Sequence, residues 1–181
     1  MKYLLIGYLT LVSAGCSVSA KPPALHDFGW LASTTTDQNK ASIDINAPTW
    51  LWDNRIRYRL LYSSPSQVKF YGLDRWIASP PELFTQLLGF STKTQDYALI
   101  IRLEDFEQQF DAPDQARVVL RFFAEAYSAK NKQKLGSQEF YLRQSTKTPD
   151  AAGAISGFID LTRLAKERIE GWLLKLADHR E

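Results

Sequence analysis

Apolar and polar residues alternate along much of the chain, and this alternation predicts β-strands. Isoleucines alternate with polar residues over residues 41–47, and a sharper alternation runs over residues 55–62. Side chains two positions apart in a strand share one face, so both segments are predicted to be half-buried strands. The run over residues 97–106 starts apolar on both faces, which favours a central place in a sheet. Further strands are predicted over residues 24–29, 67–71, 116–127 and 135–144.

Two later segments have the three- and four-residue spacing of amphipathic helices. In the first, Ser79 and Glu82 have the spacing of a capping box, and Gly89 is a natural helix end. The second starts near Thr148, which can serve as its N-cap, and keeps one apolar face as far as residue 176. Strands paired in sequence with two helices predict an α+β fold, a mainly antiparallel sheet with two helices packed on it.

The composition is that of one globular domain. The chain has 181 residues, of which 45% are hydrophobic and 23% are charged. Its formal net charge of +2 gives no general attraction to nucleic acid. We expect the domain to span residues 24–177, with a frayed tail over residues 178–181. Since the chain has one cysteine, no internal disulfide can form, and packing of its many aromatic rings must hold the fold.

The N-terminus has the pattern of a secretory signal. A short basic start precedes an apolar run over residues 3–12, which is too short to cross about 30 Å of hydrocarbon. Small residues then lead to Cys16, as in a bacterial lipobox, where the thiol takes a diacylglycerol group. Ser13 departs from that pattern, which usually has an aliphatic residue there, and cleavage after Ala20 is the alternative. We expect a signal peptide over residues 1–15, then a lipidated Cys16 and a tether over residues 16–23.

The predicted strand over residues 55–62 carries a stripe of arginines on one face. This stripe could contact phosphate headgroups or an acidic partner, or it could be a solvated face with glutamate partners on the next strand. Two tryptophans and a leucine precede the strand, and they could belong to the core or form an exposed apolar lip for a partner. The candidate partner-binding residues are Trp50, Leu51, Trp52, Arg55, Arg57 and Arg59.

No catalytic, metal or cofactor site is predicted. His26 and His179 are too few and too far apart in sequence for a usual metal centre, and His26 is predicted to be structural. The sequence lacks a nucleophile turn, a phosphate-binding loop and a dinucleotide motif. An acidic run over residues 104–114 lacks the spacing of a calcium loop, which favours a solvated strand edge. We therefore predict that the protein is not an enzyme.

Several short stretches occur along the chain in a characteristic order. They are His26-Asp27-Phe28-Gly29, Ala47-Pro48 with Trp50-Leu51, Arg55-Ile56-Arg57-Tyr58-Arg59, Tyr71 with Arg75-Trp76 and Pro80-Pro81, Phe106-Glu107-Gln108 with Phe110, Phe140, and Thr148-Pro149-Asp150-Ala151-Ala152-Gly153. Their joint order and spacing resemble the ABC-type transport auxiliary lipoprotein family. The resemblance covers roughly residues 24–176 and implies a small α+β domain.

The resemblance implies an anchored periplasmic subunit of a transport system. Its expected partners are an ABC permease and ATPase and a protein with a mammalian-cell-entry domain, which together move phospholipid or other hydrophobic molecules between membranes. Ser17 after Cys16 favours the periplasmic face of the outer membrane over the inner membrane. Assembly into a homo-oligomer is compatible with this role. Two alternatives stay open: a lipid-binding carrier with an apolar cavity, and an envelope structural or regulatory lipoprotein that contacts cell-wall synthesis.

Overall fold

The computed structural model describes residues 21–29, 42–89 and 96–178. The predicted signal peptide, Cys16 and the tether before residue 21 lie outside the described residues. So do residues 179–181 of the predicted tail, which include His179. None of the helices in the described part combines the length and apolarity that crossing a bilayer requires.

The described residues form seven strands, two α-helices and a short 3₁₀ helix, Thr49–Leu51. The bounds are β1 Ala24–His26, β2 Ser42–Asn46, β3 Arg55–Leu60, β4 Val68–Trp76, α1 Pro80–Gly89, β5 Tyr97–Ala112, β6 Gln115–Ser128, β7 Lys134–Ser145 and α2 Ala151–Asp178. Every predicted strand and helix is present. The two largest differences are that β4 and β5 continue past their predicted ends, because both contain irregularities that interrupt the alternation.

All seven strands form one mixed sheet, with the order β1-β4-β3-β5-β6-β7, and β2 pairs with β5 as well. The long pairings of β5 with β6 and of β6 with β7 are antiparallel, as is the β3–β4 hairpin. The shorter pairings β1–β4, β2–β5 and β3–β5 are parallel. The predicted α+β class with two packed helices is thus confirmed, on a sheet that mixes both directions.

Both helices lie on the same face of the sheet. Helix α2 packs on β6 and β7, and α1 packs on β2 and α2. Alternate residues of β6, such as Val118, Leu120 and Phe122, are buried together with Phe158 and other apolar residues of α2. The rings of Phe106 and Phe158 stack with centroids 3.9 Å apart, which joins the sheet to the helix at the centre of the core.

Side-chain hydrogen bonds fix the start of each helix. At α1 the glutamate half of the predicted capping box is present: Glu82 Oε2 accepts the Ser79 backbone N–H at 2.8 Å. Ser79 Oγ donates to the same oxygen at 2.6 Å. At α2 the predicted N-cap Thr148 is wrong by two positions. Asp150 Oδ1 accepts the Gly153 N–H at 2.8 Å, and Thr148 Oγ1 donates to the same oxygen at 2.6 Å. The carboxylate caps the helix, and Thr148 orients it.

The turn that begins α2 has no room for a side chain at Gly153, where an added Cβ would meet the carbonyl oxygen of Thr148. We expect Gly153→Ala to lower the free energy of unfolding by about 1–3 kcal/mol, because Thr148 and Asp150 would have to move and the cap would weaken. Gly171→Ala is the matched control, since open space surrounds its Cβ position in the same helix. It should raise stability by about 0.5–1 kcal/mol. Urea denaturation measures both, and losses of similar size would contradict the steric argument.

Candidate functional site

A cleft of about 450 Å³ lies on the face of the sheet that the helices leave uncovered. Strand β2 pairs with residues 98–102 of β5, and β3 pairs with residues 108–110 along the same edge. The connecting chain, which contains the 3₁₀ helix, passes the stretch of β5 between these two pairings. The cleft is lined by Trp50, Leu51, Asp53, Arg55, Arg57, Arg59, Val68, Phe70, Glu104, Asp105, Phe106 and Glu107.

An irregularity in β5 brings carboxylates to this cleft. Leu103 pairs with Phe122, and Asp105 pairs with Arg121, so Glu104 is an extra residue in the ladder. The extra residue reverses the alternation, and Asp105 and Glu107 therefore share the uncovered face. The acidic run, predicted to be a solvated strand edge, thus lies in a central strand beside the arginines of β3.

Two of the three stripe arginines are neutralised within the cleft. Arg59 donates from Nε and Nη2 to the two carboxylate oxygens of Glu107, at 3.0 and 3.1 Å, across the parallel strands. Arg55 donates from Nε to Asp53 Oδ2 at 2.6 Å, and this bond holds the pKa of Asp53 below its usual range. Arg59 thus has a glutamate partner on the next strand. This agrees with the predicted alternative in which the arginines pair with glutamates instead of contacting headgroups or a partner protein.

The third arginine, Arg57, holds the 3₁₀ helix in place. Its side chain is buried, with 8% of the residue exposed, and Nη1 donates to the backbone carbonyl of Trp50 at 3.1 Å. Its Nε has no hydrogen-bond partner among the described residues. Burial lowers the pKa of Arg57, and the nearby Glu107 opposes that shift. The burial of this side chain differs from the solvated face that was one of the predicted alternatives.

The two apolar residues of the 3₁₀ helix, Trp50 and Leu51, and Trp52 directly after it differ in exposure. Leu51 is 1% exposed and belongs to the core, whereas Trp50 and Trp52 are 60% and 47% exposed. A core position for the tryptophans is therefore wrong, and these two side chains form the exposed apolar lip that was the alternative. We call Trp50 and Trp52 the tryptophan lip. Trp50 borders the cleft, and Trp52 lies outside it and donates from Nε1 to the Ala47 carbonyl at 3.2 Å.

The sequence did not indicate the other cleft residues. Phe70, from the neighbouring strand β4, has the Arg55 guanidinium 3.7 Å above its ring. Asp105 and Glu107 were visible as acidic residues, but only the parallel β3–β5 pairing brings them beside the arginines. Within the described ranges, no group of histidine, cysteine, aspartate and glutamate side chains is placed to hold a metal ion. His26 bonds Asp74 through Nε2 at 2.9 Å and joins β1 to β4.

Comparison with solved structures identifies proteins of the same fold. No family model matches the sequence, and no curated protein matches it significantly. A crystal structure of a Xanthomonas campestris protein, described with the family DUF330, is 15% identical with a TM-score of 0.67, over 77% of this chain and 86% of that chain. A crystal structure of an uncharacterized protein is 12% identical with a TM-score of 0.67, over 84% of this chain and 99% of that chain. At these identities the likeness shows a shared fold alone.

The Arg59–Glu107 pair should matter for stability, because Glu107 is almost entirely buried. We expect Glu107→Gln to lower the free energy of unfolding by about 2 kcal/mol, since Arg59 would lose its counter-charge and Arg57 a nearby anion. Asp160→Asn is the control: it removes an exposed pair with Arg163 and should cost less than about 0.5 kcal/mol. Chemical denaturation at neutral pH compares the two variants. Equal losses would mean that the cleft pair is no more important than a surface pair.

Proposed function

We propose that this protein is a non-catalytic, lipid-anchored periplasmic subunit that docks an ABC lipid-transport system of the mammalian-cell-entry type. The observation that carries the proposal is the tryptophan lip, an exposed pair of large aromatic side chains on a rigid support. Tryptophan is among the residues that contribute most to the affinity of protein interfaces, because it buries a large apolar area with few rotatable bonds.

The support of the lip is consistent with a preformed binding surface. Leu51 anchors the 3₁₀ helix in the core, and Arg57 donates a hydrogen bond to the Trp50 carbonyl. A partner would therefore bind a surface that is already ordered, which reduces the entropy lost on association. Around Trp50, the paired charges of the cleft provide the polar rim that surrounds the apolar centre of a typical interface.

The identity of the partner rests on the sequence. The lipobox-like start and the resemblance to the ABC-type transport auxiliary lipoprotein family favour a transporter subunit at the membrane. The mammalian-cell-entry protein is the partner we propose for the lip, because it is the part of such systems that would reach into the periplasm. The periplasmic face of the outer membrane is the proposed location.

The carrier alternative requires aromatic side chains that line an apolar cavity. In this fold the buried rings contact one another instead. Phe84 meets Phe122 at a centroid distance of 5.4 Å, and Phe122 stacks on Phe140 at 4.8 Å, which in turn contacts Trp172 at 6.0 Å. These rings fill the space between sheet and helices, and this packing favours docking over lipid carriage.

Acylation of Cys16 is the first testable consequence. We expect the wild-type chain to incorporate labelled palmitate in bacterial cells and Cys16→Ala to incorporate none, because the thiol is the attachment point. Mass spectrometry of the mature N-terminus provides an independent measurement. A mature chain that starts at Lys21 without label would remove the anchor from the proposal.

Removal of the lip should weaken the partner complex and leave the fold intact. We expect Trp50→Ala with Trp52→Ala to weaken binding of the mammalian-cell-entry protein by about 30-fold or more, corresponding to about 2 kcal/mol of interface energy. The partner is first identified by capture with the wild-type chain from cross-linked membranes. Its affinity for each variant is then measured by titration with the detergent-solubilised full chain. Tyr62→Ala is the control, since Tyr62 is an aromatic residue with similar exposure outside the lip.

The same capture experiment distinguishes the docking function from the role of an envelope regulatory lipoprotein. If the wild-type chain binds no transporter component, the docking proposal is wrong. Capture of a cell-wall synthase would instead favour an envelope regulatory role. Circular dichroism of the double variant confirms that a loss of binding reflects the missing side chains, because an unfolded variant would lose its strand signal as well.

A further inference from the structure

Leu25, Leu73 and Ile77 form an exposed aliphatic patch at one edge of the sheet, and we call it the edge patch. Each of these side chains is about 60% exposed. Leu25 of β1 pairs in register with Arg75 of β4. Ile77 is two residues from Arg75 and shares its face by the alternation of an extended chain. Leu73 lies in the irregular stretch of β4 between Phe70 and Arg75, and its exposure puts it at the surface of the same sheet edge.

Arg75 and Ile77, at this edge, lie on the face that the helices leave uncovered. Trp76, between Arg75 and Ile77, is buried in the core under α2, where its ring contacts Phe158. Its two neighbours therefore point to the opposite face. Strand β1 is at one end of the strand order and β7 is at the other, about 24 Å away at roughly 4.8 Å per strand.

The chain enters the domain at this edge. Lys21, Pro22 and Pro23 lead directly into β1, and Cys16 is eight residues before Ala24. Even a fully extended segment of that length spans no more than about 29 Å. An acylated Cys16 would thus hold β1 within about 29 Å of the bilayer. The tether sets no such limit on the distance between the bilayer and β7.

We propose that the edge patch contacts the surface of the bilayer that holds the anchor, so that the sheet meets the membrane with its β1–β4 edge. This inference rests on the proposed acylation of Cys16. The chemistry of the patch fits a lipid surface: its apolar members are all aliphatic, and they surround a cation. Arg75 can extend its guanidinium toward lipid phosphates while its stem lies among the aliphatic side chains.

The charges around Arg75 favour an anionic lipid surface. The Arg75 Nε is buried and makes no hydrogen bond to any described residue, so the terminal nitrogens of the guanidinium are the ones that can reach lipid phosphates. Asp53, a carboxylate whose pKa Arg75 helps to lower, is already bonded to Arg55. An isolated patch of three aliphatic residues binds a membrane weakly, but beside a covalent anchor it suffices to orient the domain.

Site-specific labelling tests the orientation with the full, acylated chain. Acylation consumes the thiol of Cys16, so Leu73→Cys introduces the single free thiol of the mature protein. That thiol is labelled with a nitrobenzoxadiazole fluorophore, and the protein is reconstituted into phosphatidylethanolamine–phosphatidylglycerol vesicles that contain nitroxide-labelled phosphatidylcholine. Tyr141→Cys is the control, since Tyr141 is about half exposed on β7 at the opposite edge.

We expect the nitroxide lipid to quench the label at residue 73 several-fold more than the label at residue 141, with a blue shift of emission at residue 73 alone. Equal quenching of the two labels in an acylated chain would overturn the membrane contact and leave the docking proposal intact. A chain that carries no acyl group would overturn the membrane contact together with the proposed anchor. Failure to capture a transporter component would remove the docking function, with no effect on the quenching pattern.

Discussion

The helices cover only one face of the sheet, so the side chains of the strands must complete the other face. They do so largely through paired charges that join neighbouring strands. Arg59 of β3 binds Glu107 of β5, and Arg121 of β6 binds Asp105 of β5 at 2.7 Å. Val119, the registered partner of Glu107, is buried on this face although it is not part of the core under the helices. Because Arg59 and Arg121 each have a carboxylate beside them, the uncovered face can be both charged and well packed.

The elements that the sequence predicts well are those whose signals are local. The capping box at Ser79 and Glu82 and the long apolar stripe of α2 depend on residues a few positions apart, and both helices are where they were expected. The parallel pairings of β2 and β3 with β5 join segments about 50 residues apart, as in Tyr58 with Gln108. No local alternation contains that information, which is why the parallel pairings within this mainly antiparallel sheet were not expected.

The candidate site was predictable to a similar extent. The shared face of the arginines follows from alternation, and all three of them line the same cleft. The burial of Arg57 and the carboxylate partner of Arg59 depend on the extra residue in β5, which a run of acidic residues does not indicate. The exposure of the tryptophans depends on the 3₁₀ turn, because consecutive residues of such a turn cannot all face the core.

The edge of β5 has a further consequence for how this fold could diversify. Strands β2 and β3 lie end to end along that edge, and the 3₁₀ helix fills the interruption between them. Leu51 is the member of this segment on which the core depends, whereas its two flanking tryptophans contribute surface. Under the proposed docking function, substitution at the flanks would therefore change the partner that the domain binds without a cost to folding, and one scaffold could serve different partners through this single turn.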